Sequence, residues 1–234
     1  LEFGVDRLNQ LRTPAAIQLP HGLVCNSPSE PVFDTTNGKF GPFKGQMMVG
    51  DIAAQRIIRV MPEKVRGVYQ GACAFLIENS GLRGGNNRLT FSPEGKALYV
   101  GQTYRGWRAP AEGLQRIVWN GVTPLEVRQM SITPGGFDLT FTKPIDADAA
   151  NDPDRYQIQS YRYSYGHKYG SPQLDKKVHI AKRVNVSEDK FTVSLKLDQV
   201  EAGKIYQIDL VNLFSSDGLP IINPMVCYTV NQLR

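Results

Sequence analysis

An internal repeat in the first half of the sequence constrains the fold more than any other feature. The segment Met47–Asp51 (MMVGD) matches Leu98–Gln102 (LYVGQ) at a spacing of 51 residues. The segment Ile57–Val60 then matches Leu114–Ile117, and each of these segments carries an arginine. In both copies an apolar strand ends in Val-Gly plus a polar residue, and a second strand follows after a loop. Repeats of about 40 to 50 residues with several strands each are typical of β-propeller blades.

A turn signal inside the second copy supports a blade. The tripeptide Pro93-Glu94-Gly95 predicts a tight hairpin, because proline presets its own φ and glycine accepts a positive φ. The apolar residues Leu89 and Phe91 precede this turn, and the strand 97–100 follows it. The first half accommodates roughly two blades, too few to close a ring, and an open blade would expose a broad apolar face. We therefore expect the remaining blades to come from upstream sequence or from another chain.

The second half shows strands that are apolar on one side. Phe137, Leu139 and Phe141 alternate with polar residues, and three later segments repeat this alternation: 191–197, 206–210 and 226–230. Turn clusters separate the strands, which predicts an immunoglobulin-like sandwich. The predicted fold class is therefore all-β, with a partial β-propeller of about two blades over residues 1–122 and an immunoglobulin-like β-sandwich over residues 123–234.

Composition excludes several classes of function. The net charge is +5, but the cations are spread along the chain rather than gathered in a basic stripe, so we expect no nucleic-acid partner. No apolar run approaches the roughly 18 residues that a membrane span needs. The chain begins at Leu1 with neither an initiator methionine nor a signal peptide, so we expect a longer precursor.

The three cysteines, Cys25, Cys73 and Cys227, show no metal or haem spacing. Two arrangements stay open: a Cys25–Cys73 bridge in an exported protein, or three buried free thiols. The histidines His21, His167 and His179 show no metal spacing either, so no metal site is predicted.

Seven runs resemble one bacterial family, the exported membrane-bound-dehydrogenase-like or glucose/sorbosone-dehydrogenase-like propellers. Four of them resemble the closing blades and three resemble the sandwich that follows: 26–31, 39–46, 69–72, 101–107, 136–144, 169–172 and 228–231. The resemblance covers nearly the whole chain. It implies a secreted or periplasmic protein whose parent binds pyrroloquinoline quinone and calcium, with no cofactor held by this chain.

The same resemblance bears on catalysis. Quinone-dependent sugar dehydrogenases of this superfamily carry a histidine base shortly before a Gly-Arg-Leu strand. The matching strand here is Asn87-Arg88-Leu89, and the position of the histidine is occupied by Gly84. The resemblance therefore implies that this chain contributes no catalytic residue.

Polar residues at strand ends and in loops are the candidate ligand-binding groups. Amide and guanidinium groups suit sugar hydroxyls or a quinone carboxylate, and an indole offers a stacking face. The alternative is that these residues form turns and pack over a blade. The candidates are Asp51, Asn86, Asn87, Arg88, Gln102, Arg105 and Trp107.

Two further clusters also leave alternatives open. An aromatic stretch is either a carbohydrate-stacking platform or one packed face of a strand; it comprises Tyr161, Tyr163, Tyr165, His167 and Tyr169. A group of aspartates is either a calcium site or a solvated loop, and it lacks the order of an EF-hand; it comprises Asp146, Asp148, Asp152 and Asp154.

Two functions follow from these observations. In the first, the chain is the C-terminal portion of an exported propeller protein resembling quinone-dependent sugar dehydrogenases, and contributes to a sugar and cofactor funnel without the catalytic base. In the second, it is a non-catalytic module that binds carbohydrate or protein.

Overall fold

The computed structural model describes Arg7 and residues 10–103, 112–165 and 170–234. The fold is all-β and its sheets are antiparallel, as predicted. A short α-helix, α1, spans Ala147–Ala150, and a 3-10 turn spans Pro153–Arg155. The strands are β1 (Pro28–Phe33), β2 (Met47–Asp51), β3 (Arg56–Val65), β4 (Val68–Glu78), β5 (Asn86–Phe91), β6 (Ala97–Gln102), β7 (Gly113–Val118), β8 (Val127–Thr133), β9 (Gly136–Phe141), β10 (Tyr156–Arg162), β11 (Leu174–His179), β12 (Arg183–Val186), β13 (Thr192–Lys196), β14 (Lys204–Leu210) and β15 (Met225–Val230).

The strands of the described residues form three sheets. The largest has eight strands in the order β1-β2-β3-β4-β15-β14-β10-β11, and the others have the orders β12-β13-β9-β8 and β5-β6-β7. One face of the large sheet is covered by both smaller sheets, which pack over its two ends through separate apolar clusters. Its other face is covered near the centre by the segment 17–25, which supplies Ile17, Leu19, Leu23, Val24 and Cys25. Side chains alternate between the two faces of a strand, so neighbouring residues of β2, β3 and β4 enter different clusters.

The repeat seen in the sequence is also a repeat in strand register. In the first copy β2 pairs with β3, with Met48 opposite Arg59. In the second copy β6 pairs with β7, with Tyr99 opposite Arg116, which are the equivalent residues. We call β1–β3 unit 1 and β5–β7 unit 2.

The register match extends to the first strand of each unit. Pro28 of β1 lies opposite Asp51, and Asn86 of β5 lies opposite Gln102. A bulge follows Pro28 in β1, and another follows Asn86 in β5. The two units therefore share three strands, their registers and the position of an irregularity.

The units pack head to tail rather than face to face. We call the face of unit 1 that carries Met48, and the matching face of unit 2, the front face. Met48 packs in one cluster with Leu98 and Val100, which lie on the opposite, back face of unit 2. The positions of unit 1 that correspond to Leu98 and Val100 are Met47 and Val49, which point away from unit 2 and pack in the cluster covered by the segment 17–25. The front of one unit thus meets the back of the next.

This arrangement leaves the front face of unit 2 open. Four front positions of unit 1 are fully buried, namely Met48, Ile57, Arg59 and Met61. Their counterparts in unit 2 are exposed or half-exposed: Tyr99, Leu114 (71% exposed), Arg116 and Val118 (54% exposed).

The large sheet crosses the predicted domain boundary at residues 122 and 123. Strand β4 pairs with β15, with Cys73 opposite Cys227. The main apolar cluster also joins Met61 and Ala72 to the core of the second half. Independent folding of the two halves stays a prediction, and the structure adds that they share a sheet.

Candidate functional site

The predicted site residue Asp51 lies at the end of β2 and is fully buried. Its carboxylate accepts hydrogen bonds from the backbone N–H groups of Asn26, Ser27 and Ala53, at 2.9 to 3.0 Å. It also lies 3.2 Å from Nε of Arg56. Asp51 therefore fastens the loops on both sides of β2, and its acceptor capacity is engaged inside the protein.

Asn86 and Gln102 complete a buried polar cluster with Asp51 at the contact between the units. The Asn86 amide donates to the carbonyl oxygens of Ala54 and Arg56, at 3.0 and 3.3 Å, and its Oδ1 accepts from Gln102 at 3.1 Å. Gln102 also donates to Gln115 Oε1 at 2.7 Å. The structure thus brings three predicted residues together, and their hydrogen bonds join unit 1 to unit 2.

The other predicted residues lie outside this cluster. Arg88 is exposed, with Nε 4.0 Å from Glu30 of β1, and Asn87 is half-buried beside it. Arg105 and Trp107 lie outside the described residues. The described candidates therefore form a buried joint and an exposed strand surface.

Sequence reasoning missed a second buried polar network, centred on Arg59. Its guanidinium donates to the carbonyl oxygens of Phe75 and Val127 and to Gln46 Oε1, at 3.0 to 3.1 Å. It also pairs with Glu126 at 3.2 Å. The repeat marked this arginine in the sequence, but nothing there indicated its partners in other elements.

Glu126 is the acidic member of this network. Burial raises its pKa to about 7, although Arg59 and an Asn223 amide 2.6 Å away both favour the charged form. The network links β3 to the start of the second half, so it joins the two halves of the chain.

The three cysteines are free and buried, which agrees with the second of the two predicted arrangements. All three belong to the cluster beneath the segment 17–25. Burial, followed by the nearby charge of Asp51, raises the pKa of Cys25 to about 12. A hydrogen bond with Cys227 and burial raise the pKa of Cys73. The thiols of Cys25 and Cys73 are therefore poor nucleophiles.

Two aspartates of the predicted cluster, Asp146 and Asp152, serve as helix caps. Asp146 caps α1 by accepting from the N–H groups of Asp148 and Ala149, and Asp152 caps the 3-10 turn through the N–H of Asp154. Within the described ranges no group of three or more His, Cys, Asp or Glu side chains is placed to hold a metal ion. No helix of the described residues is long and apolar enough to cross a membrane.

The aromatic stretch divides between the core and the surface. Tyr161 is fully buried and meets Tyr163 edge-on, with ring centroids 5.7 Å apart. Tyr165 is 48% exposed. His167 and Tyr169 lie outside the described residues.

Comparison with known proteins adds little to this geometry. No family model and no curated protein matches the sequence. Among solved structures, the S-layer protein rSbsC(31-844) is 23% identical with a TM-score of 0.37, covering 47% of this chain and 14% of that one. Domains 1–6 of surface layer protein SbsC are 24% identical with a TM-score of 0.35, covering 45% of this chain and 14% of that one. Likeness at this level carries no argument about fold or function.

Proposed function

We propose that this chain is a non-catalytic wall segment of a larger β-propeller protein resembling the quinone-dependent sugar dehydrogenases. In this proposal units 1 and 2 are successive blades, and the second half is an immunoglobulin-like sandwich fused to them. The chain would hold its blades on a rigid support and present the front face of unit 2 to a further blade.

The head-to-tail contact between the units is the observation that carries this proposal. Head-to-tail contacts close only when enough units complete a ring, so two units alone leave one face of the second unit open. Leu114 and Val118 on the open face occupy the positions of the fully buried Ile57 and Met61. A further unit would bury them in the same way.

The strand order of the second half supports the sandwich. One sheet has the order β8-β9-β13-β12 and the other contains β11-β10-β14-β15. These correspond to the A-B-E-D and C-F-G sheets of an immunoglobulin-like domain with one added strand beside C. The last strand, β15, is not an edge here, because β4 of the first half pairs with it.

Two observations favour a non-catalytic role over a complete sugar-oxidising site. Gly84 occupies the position where the resemblance expects the base, and general-base catalysis needs a group that can accept the substrate proton. Asp51, Asn86 and Gln102 are buried and bonded to one another or to neighbouring loops. In the proposed secreted or periplasmic parent, pyrroloquinoline quinone and calcium would bind to other blades.

The test is an activity assay of this chain with pyrroloquinoline quinone, calcium, an electron-accepting dye and a panel of aldoses. We expect no dye reduction above the rate without protein. Turnover that disappears in Arg88→Ala would overturn the proposal, because it would place a complete site within this chain.

A further inference from the structure

A cleft lies away from the unit contact, where strands β4, β10, β14 and β15 of the large sheet begin or end. Its volume is about 920 Å³, near the upper end of the range for ligand sites. One wall is the segment from Arg12 to His21, and the others come from the ends of β10 and β15 and the start of β14.

The wall formed by the N-terminal segment is fastened to the sheet. The Asn231 amide donates to the carbonyl oxygens of Ala15 and Ala16, at 3.0 and 3.2 Å, and to that of Tyr69 at 3.3 Å. The backbone N–H of Gln18 donates to Thr229 Oγ1 at 2.8 Å. Hydrogen bonds between residues far apart in sequence therefore fix this wall of the cleft to the large sheet.

A row of tyrosines, Tyr161, Tyr163 and Tyr165, leads from the core into this cleft. Tyr161 is buried beneath it, whereas Tyr163 and Tyr165 line it. Tyr69 lines the cleft from β4 and is 58% exposed. Exposed tyrosine rings combine an apolar face with a polar hydroxyl, which suits the mixed surface of a sugar ring.

The charge of the lining favours an anion. Arg12, Arg162 and Lys204 line the cleft, and none of the described lining residues is Asp or Glu. Asp175, which is not among the described lining residues, lies 2.5 Å from Arg162 and 3.9 Å from Lys204. The guanidinium of Arg12 lies over one face of the Tyr165 ring, 5.2 Å from its centre, so a cation is held against a ring whose opposite face would be the stacking surface.

From this combination we infer that the cleft binds an acidic carbohydrate, a sugar chain with carboxylate groups such as a uronate oligosaccharide. A sugar ring would stack on Tyr165 while its carboxylate meets Arg12. The hydroxyls of Ser164 and Ser171, both in the lining, would serve the sugar hydroxyls. This inference does not depend on the proposed propeller, because the described lining residues all lie outside units 1 and 2.

The test is isothermal titration calorimetry of the whole chain with oligogalacturonate, with a neutral galactose oligosaccharide and with a glutamate peptide of equal charge. We expect saturable binding of oligogalacturonate alone. Tyr165→Ala and Arg12→Ala should each weaken it at least fivefold. Tyr99→Ala, which removes a ring from the open face of unit 2, should leave it unchanged.

Both substituted residues lie at the surface, so their variants should melt within a few degrees of the wild type. Absence of saturable binding would overturn the inference. So would equal binding of the neutral sugar or of the peptide, or affinity that neither substitution changes.

Discussion

At the scale of single residues, the buried polar groups of this protein act as joints between elements. Asp51 fastens two loops, Asn86 joins the two units, and Arg59 joins unit 1 to the second half. A buried charge that loses its partner costs several kcal/mol, so these groups fix how their elements meet.

The first prediction concerns Glu126 and pH. Its pKa is about 7 in the folded protein, against an ordinary value of 4.5. Between these values the folded state keeps a proton that the unfolded state has lost, so the contribution of Glu126 to stability falls as the pH rises. Glu126→Gln cannot bind this proton. The free energy of unfolding of the variant, relative to that of the wild type, should therefore rise by roughly 2 to 3 kcal/mol between about pH 4.5 and pH 7.

Urea unfolding at several pH values measures this difference. Glu30→Gln, which makes the same substitution at an exposed carboxylate of β1, is the matched control. If Glu126→Gln instead loses stability relative to the wild type as the pH rises, the ion pair with Arg59 outweighs burial.

The second prediction compares the glycines that end the Val-Gly motif of each unit. A Cβ at Gly50 would collide with the backbone carbonyl of Asn86 and lie 2.6 Å from Ser29 Oγ, whereas at Gly101 the nearest atom is Arg88 Cβ at 3.4 Å. Gly50→Ala should destabilise the protein by roughly 1 to 3 kcal/mol through overpacking. Gly101→Ala should change stability by no more than about 0.5 kcal/mol.

Chemical denaturation of both variants checks this pair. Equal effects at the two positions would show that unit 2 does not sit against Gly50 as described.

At the scale of elements, the alternation of apolar residues and the internal repeat together predict about half of the strands. The alternation placed β9, β13, β14 and β15, and the repeat predicted β2, β3, β6 and β7. The repeat in the first strands was not visible, because β1 reads Pro-Ser-Glu-Pro-Val-Phe and β5 reads Asn-Asn-Arg-Leu-Thr-Phe. The side chains of β1 and β5 differ, so the two strands are related only by their backbone register.

The pairing of β4 with β15 could not be predicted from the sequence. Both strands are apolar on two sides, which indicates burial but names no neighbour. The partners of the predicted site residues could not be predicted either, because those residues were chosen by chemical type. In the structure three of them lie at the contact between the units.

The third prediction concerns the second half as a separate fragment. Residues 123–234 contain β8–β15 and most of the main apolar cluster, so the fragment should fold. It should be less stable than the whole chain, because β15 loses β4 and the buried Tyr161, Ile205 and Cys227 lose the segment 17–25. Circular dichroism with thermal melting measures both properties, and a fragment without β structure would refute independent folding.

At the scale of the whole molecule, the described residues form three sheets, and the front face of unit 2 is open to solvent. The central sheet is covered on both faces over much of its width, and its two smaller partners are anchored by apolar clusters. The front face of unit 2 carries exposed Leu114 and Val118, on either side of Arg116, at positions whose counterparts in unit 1 are fully buried. The central claim is that a further unit covers this face.

Thiol labelling at Leu114→Cys tests that claim most directly. The three native cysteines are buried, so the new thiol reports alone. Val178→Cys, on the edge strand β11 at a position that is 80% exposed, is the control. In this chain alone both new thiols should react at the rate of an exposed cysteine. In the full-length product of the gene, the thiol at position 114 should react at least tenfold more slowly while that at position 178 is unchanged, and equal rates at position 114 in the two proteins would contradict the head-to-tail account.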